Sequence, residues 1–180
     1  MTAAVLAQLI CMTSGAFGPA WSASRCAEHA GWILSSAERH HVDPVLMVAV
    51  NAYECDMHDR DAPIYRQLGN RRTLVGFDRC PMGMRVLGLA QSARLGPAEL
   101  YEMAGVDLER SFSYYREKHL TIRDAIRKAV ARRNSRSRNY ADQVLAVAAA
   151  LGGRRPSVEG LTERTKEIVR RLCKIFRKVS

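Results

Sequence analysis

The most informative stretch of the chain is residues 43–54, which read DPVLMVAVNAYE. Asp43 is a good helix N-cap, and Pro44 suits the first helical position because that residue's N–H has no partner within a helix. The six residues after Pro44 are apolar on every side of a helix. A helix without a polar face is typical of a buried core. The stretch therefore predicts a central helix that ends near Glu54.

The chain on both sides of this helix shows mostly helical spacing of its apolar residues. We expect helices over 26–37, 81–94, 97–103, 107–115, 122–130 and 140–151. Strand signals are scarce, and residues 72–77 contain the one candidate for a short extended piece. Short connections between many helices favour a compact all-α domain.

The composition is that of a folded, basic protein. Of 180 residues, 47% are hydrophobic and 26% are charged, which suits one globular domain rather than a disordered chain. No apolar run approaches the ~20 residues of a membrane span, and no collagen repeat, heptad array or zinc-ribbon cysteine pair occurs. The formal charge of +10 favours a polyanionic partner: nucleic acid, anionic lipid or an acidic polymer of the cell envelope.

Two end segments differ from the body at residues 25–153. Residues 1–24 join an apolar stretch to small residues and resemble an export signal, although no basic residue precedes the apolar stretch; the alternative is an N-terminal segment that packs on or anchors the domain. Residues 154–180 follow a Gly-Gly break and carry nine basic and three acidic residues. We expect a basic amphipathic helix there, which either docks on its own domain or a partner subunit or lies on an envelope surface.

The five cysteines, at positions 11, 26, 55, 80 and 173, leave two interpretations open. In an oxidising compartment, Cys55–Cys80 is the first pairing to expect. Otherwise the cysteines are small buried hydrophobic residues. The cysteine and histidine spacings fall short of a zinc ligand set, so we expect no metal and no cofactor.

Glu54 is the candidate for acid–base chemistry. It is the first acid after the apolar run and lies about 15 Å along the helix from Pro44, at about 1.5 Å per residue. Partial burial and the negative end of the helix dipole both favour its protonated form. A carboxyl that is protonated at neutral pH is what a general acid needs. From spacing alone, an ordinary solvated glutamate at a helix end is the alternative.

Residues 42–54 resemble the first motif of the lytic transglycosylases of the soluble-transglycosylase and goose-type lysozyme superfamily, in which a Val-Asp-Pro helix ends in the catalytic Glu. Residues 80–87 resemble the second motif, a Gly-Leu-Met-Gln turn, and residues 107–115 resemble the third, Asn-Ile-x-x-Gly-x-x-Tyr-Leu. Residues 139–145 resemble the closing helix, and the order holds across residues 26–151. The resemblance implies a compact lysozyme-like helical domain in which Glu54 is catalytic. It also implies substrate contacts for Cys55, Met84, Arg85, Tyr114 and Tyr140.

The reaction implied by the resemblance is cleavage of the β-1,4 bond between N-acetylmuramic acid and N-acetylglucosamine in peptidoglycan. Glu54 would protonate the glycosidic oxygen and then act as base on the muramyl C6 hydroxyl, which closes a 1,6-anhydro ring. One carboxyl suffices because the substrate supplies the nucleophile. Hydrolysis would need a second acid and remains open. The nearby candidates for that second acid are Asp56, Asp59, Asp61 and Asp78.

The implied partner is therefore the peptidoglycan glycan strand, and nucleic acid is not expected, because the charge run at 132–138 comes without a recognition motif. Such a protein would be exported to the periplasm or cell envelope, or carried in a phage virion. The helix at 154–180 would then offer a contact to an envelope or virion assembly.

Three positions and one element depart from the family pattern. Cys55 replaces a serine, Arg85 a glutamine and Ser111 a glycine, and the Ala-Tyr-Asn element has only a loose candidate at residues 131–134. These departures motivate an alternative function. In it, a catalytically weakened lysozyme-like fold serves as a peptidoglycan-binding structural part of an envelope apparatus or phage virion.

Overall fold

A computed structural model describes residues 1–17, 20–57, 61–68, 70–134 and 139–176. In chain order, these residues form the following elements: α1 Ala3–Phe17, α2 Ala23–Arg39, α3 Pro44–Cys55, β1 Ala62–Leu68, β2 Arg71–Arg79, β3 Met84–Leu87, α4 Leu89–Ser92, α5 Pro97–Glu117, α6 Ile122–Arg133, α7 Tyr140–Leu151 and α8 Glu163–Phe176. The described part of the chain is therefore predominantly helical.

Helix α3 lies at the centre of the fold. The Asp43 carboxylate accepts a hydrogen bond from the Val45 N–H at 2.8 Å, which caps the helix as predicted. The residues in the middle of α3, Met47 to Val50, are fully buried. Helices α1, α2, α5 and α7 pack around it. The prediction of a central buried helix over residues 44–54 is confirmed.

The prediction of a purely all-α domain is wrong. Strands β1, β2 and β3 form an antiparallel sheet in that order, and β2 contains the extended piece foreseen at residues 72–77. Most residues of β1 are exposed, so the strand shows little of the apolar alternation by which a half-buried strand is recognised.

The helix predicted over residues 81–94 is also wrong, because β3 and the short α4 replace it. Met82, Gly83 and Gly88 have φ angles of +77°, +57° and +97°. A right-handed helix cannot pass through three left-handed residues.

One long helix, α5, replaces the two helices predicted over residues 97–103 and 107–115. The helix continues through Gly105, which lies against Ser36 and His40 of α2. A side chain at this position would collide with Ser36, so the glycine serves close packing of two helices rather than a helix end.

Both end segments pack on the body. Helix α1 buries Leu6, Leu9 and Ile10 and is joined to α2 by a Cys11–Cys26 disulfide. Residues 3–17 therefore form a packed helix, one of the two forms expected for the N-terminal segment. Helix α8 buries Ile168, Val169 and Leu172 against α1 and α7 and turns its basic residues outward. No helix in the described ranges combines the length and apolar character needed to cross a membrane.

Candidate active site

Glu54 lies in the last turn of α3 and is half-buried. The backbone of Gly83 covers its side chain so closely that a Cβ at Gly83 would lie 3.0 Å from the Glu54 Cβ and 3.3 Å from its carboxyl carbon. Since Gly83 also has a φ of +57°, both its conformation and the space available require glycine. The fold thus brings the turn at Gly83 against Glu54.

The Tyr140 side chain is fully buried near Glu54, with its ring 5.4 Å from that of Tyr53. Burial raises the pKa of the Tyr140 hydroxyl, and the negative charge of Glu54 raises it further, while Arg133 lowers it. The hydroxyl lies close enough to respond to both charges but makes no hydrogen bond of ordinary length and angle. Tyr140 therefore lies close to Glu54 and is shielded from solvent.

Arg133 is the residue of this site that the sequence analysis missed. Its side chain is only 5% exposed, and one of its terminal nitrogens donates a 2.6 Å hydrogen bond to the Met82 carbonyl. The only sequence signal for it was the loose match at residues 131–134. A basic residue at the edge of a charge run is usually interpreted as solvated, and residues 135–138 of that run lie outside the described residues.

A Cys55–Cys80 disulfide fastens the end of α3 to the end of the sheet, which is the pairing that was expected first. Because Cys55 is oxidised in this bond, it has no thiol that could contact a substrate, and its side chain is also buried. Its effect on the site is indirect, because the bond anchors the turn that covers Glu54.

The other residues proposed to contact a substrate differ in whether they lie near Glu54. Met84 is half-buried, and its sulfur lies 3.3 Å from Arg133, at the edge of the Glu54 site. Arg85 is exposed on β3 and pairs with Asp78 at 3.1 Å. Tyr114 is 48% exposed on α5 and contacts Tyr115 and Lys118. No contact in the described ranges joins Arg85 or Tyr114 to Glu54.

The aspartates considered for a second acid are all engaged where the structure describes them. Asp56 pairs with Arg164, Asp61 pairs with Arg79 at 2.7 Å, and Asp78 pairs with Arg85. Asp59 lies outside the described residues. An arginine partner occupies the oxygens of a carboxylate, which are then not free to bind a water.

Arg164 of α8 contacts the two residues on either side of Glu54 and Cys55, which are Tyr53 and Asp56. It donates to the Tyr53 carbonyl at 3.2 Å, and its guanidinium lies 5.6 Å from the centre of the Tyr53 ring. Burial raises the pKa of the Tyr53 hydroxyl, and the Arg164 charge opposes that shift. The C-terminal helix therefore contacts the site as well as the core.

Within the described part of the chain, no group of three or more histidine, cysteine or carboxylate side chains is placed to hold a metal ion. The comparisons with known proteins identify no relative: no protein-family model, no curated protein and no solved structure matches this chain.

Proposed function

We propose that the protein is a peptidoglycan lytic transglycosylase, which cleaves the bond between N-acetylmuramic acid and N-acetylglucosamine with Glu54 as its single acid and base. The observation that carries the proposal is the contact of Gly83 with Glu54. Two segments that resemble successive motifs of one family meet at the residue to which that family assigns the chemistry.

Two neighbours of Glu54 support this role. Its stem packs under a backbone turn, and a buried tyrosine lies beneath it. In the proposed reaction, the carboxyl gives its proton to the glycosidic oxygen as the bond to the leaving sugar breaks. The resulting carboxylate then takes the proton of the muramyl C6 hydroxyl as that oxygen attacks C1, so the enzyme returns to its starting form.

The arginine partners of Asp56, Asp61 and Asp78 favour this one-carboxyl route over hydrolysis. A hydrolase of the inverting type needs a second carboxylate that is free to activate water. The charge of +10 suits a substrate that carries peptide and muramyl carboxylates. Such a substrate would place the protein in the periplasm or envelope, or in a virion that must cross the wall.

Product analysis tests this proposal. Purified protein is incubated with peptidoglycan sacculi, and the soluble products are identified by mass spectrometry. We expect 1,6-anhydro muropeptides from the wild type and at least a ~10³-fold lower rate from Glu54→Gln, which removes the transferable proton. Asp78→Asn is the matched carboxyl-to-amide control and should retain the anhydro product. Hydrated reducing ends would contradict the one-carboxyl route.

A second candidate function is a peptidoglycan-binding structural part without turnover. The observation that favours it is that two side chains at the motif positions are bound to other residues: Cys55 is in a disulfide and Arg85 is paired with Asp78. Absence of soluble products at every pH, together with sedimentation of the protein with sacculi, would support this function over the enzyme.

A further inference from the structure

The hairpin of β1 and β2 extends beyond the third strand of the sheet. Strand β3 pairs only with Gly76 to Arg79 of β2, so residues 71–74 pair with residues 65–68 of β1 alone. These two segments form a two-stranded ribbon. Its side chains are exposed where the structure describes them, apart from the half-buried Leu74. The ribbon is therefore accessible to a partner along its length.

Three arginines of the ribbon have no carboxylate partner. Arg66, Arg71 and Arg72 are all exposed. The chain has no acidic residue between Asp61 and Asp78, which includes the whole ribbon. Within the described ranges, no ion pair joins any of the three arginines to an acid. The ribbon thus carries three positive charges that the rest of the fold does not neutralise.

The other two arginines of the sheet are paired with carboxylates. Arg79 lies 2.7 Å from Asp61, and Arg85 lies 3.1 Å from Asp78. Both pairs are at the end of the sheet that adjoins the turn at Gly83. Uncompensated positive charge in the sheet is therefore concentrated at the far end, on the ribbon.

The pairing register places the three charges on both faces of the ribbon. Arg66 pairs with Thr73, two residues after Arg71. Arg66 and Arg71 are therefore diagonal neighbours on one face, about 7 Å apart. Arg72 lies on the other face, where its guanidinium is 4.2 Å from the centre of the Tyr65 ring. Like charges this close, without a counter-ion, do not stabilise a sheet, so the arrangement favours a binding role over a structural one.

The ribbon suits a linear anionic polymer better than a flat surface. Amphipathic segments that bind membranes present their apolar residues on one face and their basic residues on the other, whereas arginines occupy both faces here. Strand β2 leads from the ribbon to the turn at Gly83 that covers Glu54. At ~3.3 Å per residue, Arg71 lies about 26 Å from Arg79 along β2. One molecule that contacts both the ribbon and Glu54 must therefore be a long chain.

We propose that Arg66, Arg71 and Arg72 form an accessory site that binds the peptide carboxylates of a peptidoglycan strand away from the bond cleaved at Glu54. This inference rests on the proposed function and names the part of the substrate that the ribbon holds. Peptidoglycan carries carboxylates on the peptides along its glycan, and arginine binds carboxylates through a planar fork of donors. A strand held at the ribbon is present at Glu54 at a raised effective concentration.

The first test measures binding without turnover. Each protein carries Glu54→Gln, and its affinity for purified sacculi is measured by co-sedimentation at low ionic strength. The ribbon triple, which combines Arg66→Gln, Arg71→Gln and Arg72→Gln, should bind about 10-fold more weakly because three exposed ion pairs are lost. A control triple removes the same charge at exposed positions outside the sheet, and should bind within ~2-fold of its parent. Its changes are Arg123→Gln, Arg154→Gln and Arg155→Gln. Equal losses in the two triples would overturn the inference, because binding would then follow net charge alone.

Altered sacculi test the same site with the ribbon unchanged. Coupling the sacculus carboxylates to glycinamide removes their negative charge. The Glu54→Gln protein should then bind as weakly as the ribbon triple, and the ribbon triple should lose little more. Undiminished binding to amidated sacculi would refute the assignment to carboxylates. Duplex DNA and phosphatidylglycerol vesicles serve as competitors, and tighter ribbon-dependent binding of either one would assign the ribbon to nucleic acid or to a membrane instead.

Rate measurements separate this inference from the proposed function. With Glu54 intact, the ribbon triple should lower kcat/KM at least ~5-fold on sacculi, mainly through KM, because it removes binding away from the cleaved bond. The loss should be smaller on a soluble tetrasaccharide, which is too short to reach the ribbon. Equal losses on both substrates would contradict an accessory site. If the wild type releases no product but still binds sacculi through the ribbon and the carboxylates, the transglycosylase fails and the ribbon site stands.

Discussion

The helices and the sheet of this protein are stabilised in different ways. The helices bury continuous apolar stripes, and α3 at their centre has a middle turn with no exposed side chain. The sheet at residues 62–87 is exposed along most of β1. A few individual bonds hold it instead. They are the Cys55–Cys80 disulfide, the bonds of Arg79 to Asp61 and to the Leu95 carbonyl, and the hydrogen bond of Arg133 to the Met82 carbonyl.

The two regions contribute different parts of the candidate site. The helices provide the glutamate and keep it in place, while the sheet segment provides the turn that covers it. A covering turn that depends on a few ties is easier to disturb than a packed core. We therefore expect damage to the sheet segment to affect activity more than it affects overall stability.

The largest expected effect on stability is in the helical core. Met47→Ala should lower the free energy of unfolding by about 3.5 kcal/mol, because it leaves a cavity at a fully buried position. Tyr65→Ala on β1 should lower it by less than about 1 kcal/mol, since Tyr65 is exposed and its main contact is Arg72 at 4.2 Å. Urea unfolding measures both. Equal losses would contradict the contrast between core and sheet.

The next effect comes from the two disulfides. Replacing both members of either pair by serine should cost about 3 kcal/mol, because each bond closes a loop of similar length. The two losses should affect different parts of the molecule. Loss of Cys55–Cys80 should expose residues 61–88 to proteolysis and lower activity at least ~10-fold, whereas loss of Cys11–Cys26 should leave the sheet protected. Limited proteolysis with mass spectrometry checks this, and identical cleavage patterns would refute it.

A smaller effect, on the pH dependence of stability, belongs to the helices. Burial lowers the pKa of His29 to about 4, and Arg25 adds to the shift. The stability that neutral His29 contributes is therefore present above pH 6.5 and is lost as the pH falls toward 4. Between pH 7 and 5, the contribution of His29 to the free energy of unfolding should drop by about 2 kcal/mol.

His40 has the opposite sign. Its hydrogen bond to Glu102, followed by the one to Glu109, raises its pKa, with distances of 2.8 and 2.9 Å. Its contribution is present below pH 6.5 and is lost as the pH rises through the raised value. Denaturant unfolding from pH 5 to 9 should give a maximum between these losses. His29→Gln should flatten the acid side and His40→Gln the alkaline side, while the exposed His41→Gln should change neither.

The elements predicted correctly from the sequence are those that local rules specify. Asp43, Pro44 and the apolar run after them identify α3 because capping and burial act within one helix. The helix predicted over 81–94 failed because the left-handed residues at 82, 83 and 88 are set by contacts with distant parts of the chain. The predicted break between residues 103 and 107 was wrong because Gly105 allows close packing against α2 and does not end its own helix.

The candidate site divides in the same way. Glu54 was identifiable because its position at the end of an apolar helix is visible in the local pattern. Arg133 was not, because it is buried only when the end of α6 meets a turn 51 residues earlier in the chain. Arg132 directly precedes it, and nothing in the local pattern distinguishes the buried arginine from the exposed one before it.

The local sequence pattern was thus enough to specify the helices of the core and the candidate residue Glu54, since caps and apolar stripes act between residues a few positions apart. The sheet, the choice of disulfide partners and the cover over Glu54 were decided by the packed molecule. The physical reason is that a hydrogen bond, an ion pair or a close backbone contact depends on distance in space. Folding brings Gly83 and Tyr140 to Glu54, and Arg133 to Met82, from separate segments of the chain.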